Sequence, residues 1–489
     1  MTPAIQQPSQ GGATQPKPLS GRPGPSASGL ISGAWSLAIC ALAAVLLLAV
    51  AIFNGYPTVF SDTGGYLWTG AFLQALAPFR APGYSILMRF TALFGTAWPT
   101  ITLQSIIVVY LLWETYEQLV GSAKKFGSIA FLMLVLVLTL LTSLPWVVSL
   151  LMPDVFAGTL FLSVFLLVFG IGMSAARRIC LALILLLSAS AHTSLLPMAL
   201  LFAVAALLLR FVTKSHRDVP ARTALLWLGL PMLASGLSTA ALNREMDLGF
   251  SLEPSGNRFL LARLFSDGLA ADYLRDNCSR RPFVSCRYLA DLPRTQEEFL
   301  FRHPLLHDLE GHEAEMREIV HGTVLSFPFR FVADSGKDTL MQLATFQTGD
   351  EIRTYAAREW NASVIQRLLP RDFPAFSNAR QFQDRLPPLA NLAAAIDTAV
   401  FWTSLGGCLL FAWTNRFGQA NELFYCALLF LAINAAICAT FAGVYARYQS
   451  RVAWIVPLCL LIYVCSWLRE APNFLHENEP SEKEFVVNA

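Results

Sequence analysis

The chain is poor in charge. Only 14% of its 489 residues are Asp, Glu, Lys or Arg, against roughly 25% in a soluble domain. Meanwhile 55% are hydrophobic, and mean hydropathy is +0.51. That shortage excludes an ordinary soluble protein and places much of the chain in a bilayer. The formal net charge is +2 and the basic residues are scattered, so nucleic acid is excluded as a partner. An internal repeat, a P-loop, a dinucleotide fingerprint and an HExxH pair are also missing. A cleavable signal peptide is not expected either. The opening "MTPAIQQPSQGGATQPKPLSGRPGPSASG" is rich in Pro, Gly, Ser and Gln, and the apolar run after it is too long and lacks a small-residue cleavage site. Residues 1–29 therefore read as a disordered cytoplasmic tail.

Long apolar runs are abundant. A membrane span needs roughly 20 largely apolar residues, and candidates fall at 31–53, 99–119, 126–145, 154–174, 178–193, 194–213, 222–242, 391–413, 420–441 and 452–468. The expected fold is an all-α polytopic membrane protein of about ten spans. Arg80, Pro82 and Arg89 interrupt the stretch 79–95, which reads as an amphipathic helix in the interface. Lys and Arg collect in "GSAKKFG", "SAARR", "RFVTKSHRDVPAR", "TNRFGQ" and the segment after "WLRE". By the positive-inside rule these are cytoplasmic, with both termini inside. The chain then divides into a bundle of about seven spans over 30–242 with a first outer loop at 54–98, an outer loop domain at 243–390, three more spans at 391–470 and a cytoplasmic tail at 471–489.

Cysteine use fits this orientation. Seven of nine cysteines lie in apolar runs, where a thiol behaves as a small hydrophobe. The other two, Cys278 and Cys286 in "NCSRRPFVSC", lie in the large outer loop, where an oxidising compartment permits a disulfide.

The same face gathers ionisable residues that a plain bundle does not need. Asp62 in "FSDTGGYL" follows the first span, Asp154 in "MPDVF" starts the fourth and His192 in "SASAHTS" ends the fifth. Arg447 and Arg451 in "VYARYQSRVAW" precede the last span, and Arg80 lies in the first outer loop. Ionisable groups at membrane depth are costly enough to mark function. A carboxylate can accept a proton from an incoming hydroxyl, while Arg and His⁺ can hold a lipid phosphate and stabilise its charge as it leaves. Gly64 and Gly65 permit close approach to a bulky ligand, and Tyr56, Tyr66 and Trp68 suit sugar faces or the headgroup belt. Plainer roles stand beside these: Asp62 and Asp154 as helix caps, Arg447 and Arg451 as headgroup anchors, and Arg80 snorkelling to lipid.

"SDTGGYL", the "PD" of Asp154, "RAPGYSILMRF" and "ARYQSRVAWIVPL" together resemble the polytopic glycosyltransferases of the GT-C class. The resemblance covers the first half of the bundle and the last two spans. It implies an Asp in the first outer loop acting as catalytic base, here Asp62, and a second acid in the next outer loop, here Asp154. It also implies a polyprenyl-phosphate-linked sugar as donor, a glycan, lipid or protein as acceptor, and inversion at the anomeric carbon. Arg447, Arg451, His192 and Arg80 become the donor-phosphate residues. A divalent cation, Mg²⁺ or Mn²⁺, held by Asp62 and Asp154 stays open as a cofactor. The expected location is a bacterial inner membrane with the active face periplasmic. Competing functions are a transporter or flippase of lipid-linked saccharide, and a polymer ligase or acyltransferase.

The large loop adds His303, His307, His312 and His321 in "RHPLLHDLEGHEAEMREIVHG", with Glu313 among them. The spacing of four between His303 and His307 suits one helical face, so a metal site and a solvated helix are both compatible with the run. Amphipathic stretches such as "RFLLARLFSDGLAADYLRD" predict a mostly helical domain.

Overall fold

The computed structural model describes residues 27–74, 80–121, 125–213, 220–352, 358–414 and 418–477. Most of the expected N-terminal tail 1–29, most of the C-terminal one and parts of the basic loops fall outside them; the first described helix already begins at Ala27. The described residues are helical throughout, without strands beyond one isolated parallel bridge between Thr58 and Leu150. Five helical stretches among them are long and apolar enough to cross a membrane: Leu195–Thr213, Arg222–Glu245, Pro387–Trp413, Gly418–Phe441 and Ala446–Arg469. Shorter apolar helices cover Ala34–Leu47, Gly127–Leu141 and Val155–Phe169.

The central element is Val155–Phe169. All of its 15 residues are buried, as expected of a helix that is apolar on every side. Around it pack Trp98–Leu119, Ala175–Ala191, Leu195–Thr213 and Gly418–Phe441. The peripheral helices bury only one stripe. In Leu195–Thr213 that stripe is Leu195, Met198, Ala199, Phe202, Ala203 and Ala206, while Leu200, Leu201, Val204 and Leu208 are each more than half exposed. A helix facing water would carry polar side chains there, so this exposed apolar face belongs to a membrane protein.

The central helix is tied at both ends. At one end Arg210 donates to the Val168 carbonyl at 2.9 Å, supplying a partner to a carbonyl of the last turn. At the other, which carries Asp154, Trp454 lies against Gly158. A Cβ on Gly158 would stand 2.3 Å from the indole, so only glycine admits this contact. The contact brings the segment Ala446–Ala453 to the start of the central helix and sets Arg451, one turn before Trp454, beside Asp154, one turn before Gly158.

Residues 243–390 divide among three cores, the smallest of which joins Ile352, Leu386 and Ala390 to Val50 and Trp146. The first part has its own, built from Leu261, Leu264, Phe265, Leu274, Phe299, Ile319 and their neighbours. Cys278 and Cys286 are disulfide-bonded there, with Cα atoms 5.7 Å apart; the link closes a short loop in the unfolded chain and lowers its entropy. The later part joins the bundle's core through Phe346, Val364, Ile365, Leu369 and Phe376.

Candidate functional site

The chain leaves its first helical segment at Gly55, whose φ of +86° closes the helix Ala49–Asn54 with bonds from its amide to Ala51 and Ile52 carbonyls. The loop that follows is fixed to the hairpin before Asp154. Thr58 N donates to Ser149 O and Leu151 N to Thr58 O, both at 2.9 Å, and Thr63 Oγ1 donates to Leu151 O at 3.0 Å. Gln104, inside Trp98–Leu119, supports the hairpin from below through bonds to the Val148 and Leu150 carbonyls. Two amides from the far end of the large loop grip the same segment. Gln381 bonds both N–H and C=O of Val59, and Asn361 accepts from Gly64 N while donating to Phe60 O, each at 2.8 Å.

This framework presents Asp62 and Asp154 at one end of the bundle. Asp62 precedes the helix Thr63–Phe72 and Asp154 precedes Val155–Phe169, but neither side chain makes a capping hydrogen bond. Both carboxylates face guanidinium groups instead. Asp62 pairs with Arg80 at 2.6 Å, with both side chains about a quarter exposed or less. Asp154 is buried and lies 3.6 Å from Arg447 Nε and 3.9 Å from Arg451 Nη1. Those separations exceed hydrogen-bond length. Both Asp154 oxygens, Arg447 Nη1 and Arg451 Nη1 are buried without a hydrogen-bond partner.

Such groups cost free energy unless something satisfies them. Two carboxylates against three guanidiniums leave one positive charge in excess. Arg447 lies over the Phe60 ring at 4.3 Å, which brings it to the Asp62 loop. Tyr66 links the two pairs: its phenol is raised by burial, and the charges of Arg80, Asp62, Asp154 and Arg447 all reach it. Arg80 stands over its ring at 5.8 Å.

The two late arginines differ in their restraint. Arg451 Nη2 donates to Asn434 Oδ1 at 2.9 Å and to Ser194 Oγ at 3.4 Å, and Ser194 in turn contacts His192 Nδ1 at 2.9 Å. His192 thus joins the cluster through Ser194. Among the described residues Arg447 has the Asp154 pair and the faces of Phe60 and Tyr448, and no hydrogen-bonded side chain holds it as Asn434 holds Arg451. Gly65 lies under Arg80, with a built Cβ 3.3 Å from Nε, and Gly64 lies under Trp360, with a built Cβ 2.7 Å from the indole Nε1. Trp68, on the same helix, faces Trp360 at 6.4 Å. Tyr56 is turned elsewhere: it is buried and donates to Asp372 at 3.1 Å, beside bonds to Asp372 from Thr96 Oγ1 and Ala97 N.

The donor set does not suit a divalent cation. Asp62 is engaged by Arg80, and Asp154 faces two more guanidiniums, so a metal there would sit among three fixed positive charges. Among the described residues no group of three or more His, Cys, Asp and Glu is placed to hold a metal. In the large loop, His303 bonds the Asp291 carbonyl and the Leu305 amide, while exposed His307 faces Glu310 at 3.3 Å.

Asn434, Ser194, Asn361, Gln381 and Trp360 were not visible as site residues in the sequence. A lone Asn within the apolar run "LFLAINAAICATF" was the available signal for Asn434, since an uncharged polar group in a span also needs a partner. Glu253 was missed as well. Burial pushes its carboxyl up to about 7, against hydrogen bonds from Ser255 and Thr193, the latter next to His192.

No family model, curated protein or solved structure matches the chain.

Proposed function

We propose that this chain is a membrane glycosyltransferase of GT-C type that moves a sugar from a polyprenyl-phosphate donor to a hydroxyl-bearing glycan, lipid or protein. In this reading the ten apolar segments are spans, both termini are cytoplasmic, and the Asp62–Asp154 end faces the periplasm of a bacterial inner membrane. The carrying observation is the convergence of Asp62, Arg80, Asp154, Arg447 and Arg451, from segments almost 400 positions apart, into one under-bonded cluster with an excess of one positive charge.

Asp62, the more accessible acid, takes the proton of the acceptor hydroxyl as its oxygen attacks the anomeric carbon. The bond from that carbon to the phosphate oxygen breaks, and the electron pair leaves on the phosphate. Arg447, with an N–H unengaged, and Arg451, held by Asn434, stabilise the departing charge. Attack opposite the leaving group inverts the anomeric centre. Arg80 orients Asp62, and Asp154 holds the two late arginines apart.

The test uses the purified full chain in nanodiscs with labelled polyprenyl-phosphate sugars and a membrane extract as acceptor source. Wild type is expected to transfer label, and Asp62→Asn to transfer none while folding and inserting normally. Absence of transfer by wild type across the donor panel, or full activity in the variant, contradicts the assignment.

A further inference from the structure

Beside the carboxylate proposed as base lies an aromatic patch with a cation on it. Trp360, carried by the helix Arg358–Leu368, sets its indole Nε1 against Gly64, two residues from Asp62. Its ring faces Trp68 at 6.4 Å, and Trp68 continues to Phe72 at 4.6 Å. Trp360 and Phe72 are 36% and 41% exposed. Arg367, two turns along the same helix, stands over Trp68 at 5.0 Å and Phe72 at 5.8 Å. Arg367 is exposed and has no carboxylate partner among the described residues. This contrasts with Arg80, Arg263 and Arg447, each of which faces an acid.

We propose that Trp360, Trp68 and Arg367 form the acceptor subsite, and that it takes a saccharide bearing an acidic group, a carboxylate or phosphate. This rests on the glycosyl-transfer reading above. A pyranose ring presents C–H groups to an aromatic face and hydroxyls at its rim, which suits a partly exposed Trp with its N–H directed at the site. The Arg367 guanidinium lies over Trp68 and Phe72, and its N–H groups can pair with a carboxylate or phosphate in bidentate fashion. A ring seated on Trp360 has a hydroxyl directed toward Asp62, because Gly64 brings the indole against the backbone of the Asp62 helix. Charge complementarity selects the class: among the described residues the patch carries one cation and no acid paired with it, so a neutral sugar leaves Arg367 unmatched.

Binding is measured without chemistry, by isothermal titration of the full chain in neutral detergent micelles with an oligogalacturonate, and with a maltooligosaccharide of equal length as the neutral control. The acidic oligomer is expected to bind at least about tenfold more tightly than the neutral one, with Trp360→Ala and Arg367→Gln each weakening it by about tenfold. Asp62→Asn is expected to keep the binding while losing transfer, which separates failure of this subsite from failure of the transfer reading. Both test positions are exposed enough that melting curves should match wild type. Equal affinity for the two oligomers, or wild-type affinity in both variants, overturns the proposal. Variants that leave the titration unchanged but shift melting only in nanodiscs containing anionic lipid would make the patch a bilayer anchor and overturn it equally.

Discussion

Asp154 and Glu315 are both drawn in from solvent, in different regions, and the two regions treat them in opposite ways. Glu315, in the separately cored part of the large loop, accepts from Val284 N, Ser285 N and Ser285 Oγ at 2.8–3.0 Å. Tyr288 and Asp308 close a further bond nearby at 2.7 Å. Asp154, at the end of the bundle, has no hydrogen bond to its carboxylate among the described residues and faces two arginines beyond bonding distance. Asp154 is not alone in the bundle, where Glu114 Oε2 and Arg178 Nη1 are also buried without a hydrogen-bond partner among the described residues, but buried Asp397 accepts from Thr348 Oγ1 at 2.5 Å and Ser143 N at 3.2 Å. Each unmet buried polar group costs about 1–3 kcal/mol. What sets Asp154 apart is that both of its oxygens are unmet with two guanidiniums beside them.

The comparison breaks most visibly at Asp62. Asp62→Asn should lower transfer by about 10²- to 10⁴-fold without moving the melting temperature, because the carboxylate is partly exposed and caps nothing. Arg447→Gln should follow, with about 10²- to 10³-fold lost in kcat. Arg451→Gln should lose activity and also stability, since it strands Asn434 and Ser194; melting curves of the two variants side by side separate the roles.

In the contrasting region, Glu315→Ala should cost about 2 kcal/mol of stability in a denaturant titration and leave turnover per folded molecule nearly unchanged. An effect of similar size, visible only as a pH dependence, is expected at Glu253. Its folded pKa of about 7 lies above its ordinary value of 4.5. The folded state therefore binds the proton more tightly, and stability falls as pH rises from about 4.5 to 7. Glu253→Gln should remove that fall, so the variant gains on wild type by about 2–3 kcal/mol between pH 5 and pH 8.

Much of the helical layout was legible because hydropathy is a local property: each candidate run from 31–53 to 452–468 contains a helix. The charged members of the site were legible for a related reason, since Asp62, Asp154, His192, Arg447 and Arg451 all stand at ends of apolar runs, where an ionisable group is conspicuous. What braces them was not. Asn361 and Gln381 meet the Asp62 loop from about 300 residues away, in a segment whose composition says only loop. Gly158 reads as an ordinary small residue until Trp454 is placed on it. The lack of hydrogen bonds at Asp154 is a matter of tenths of an ångström, and no residue pattern encodes it. The division of 243–390 among three cores was equally invisible, because amphipathic helices show that a face is buried without showing against what.

The central claim is that the under-bonded arginines hold the phosphate of a lipid carrier. The direct measurement is equilibrium binding of polyprenyl phosphate to the purified full chain in nanodiscs of neutral lipid. The account predicts similar affinity for wild type and Asp62→Asn, and affinity lower by about tenfold or more for Arg447→Gln. Undiminished binding by Arg447→Gln would contradict it.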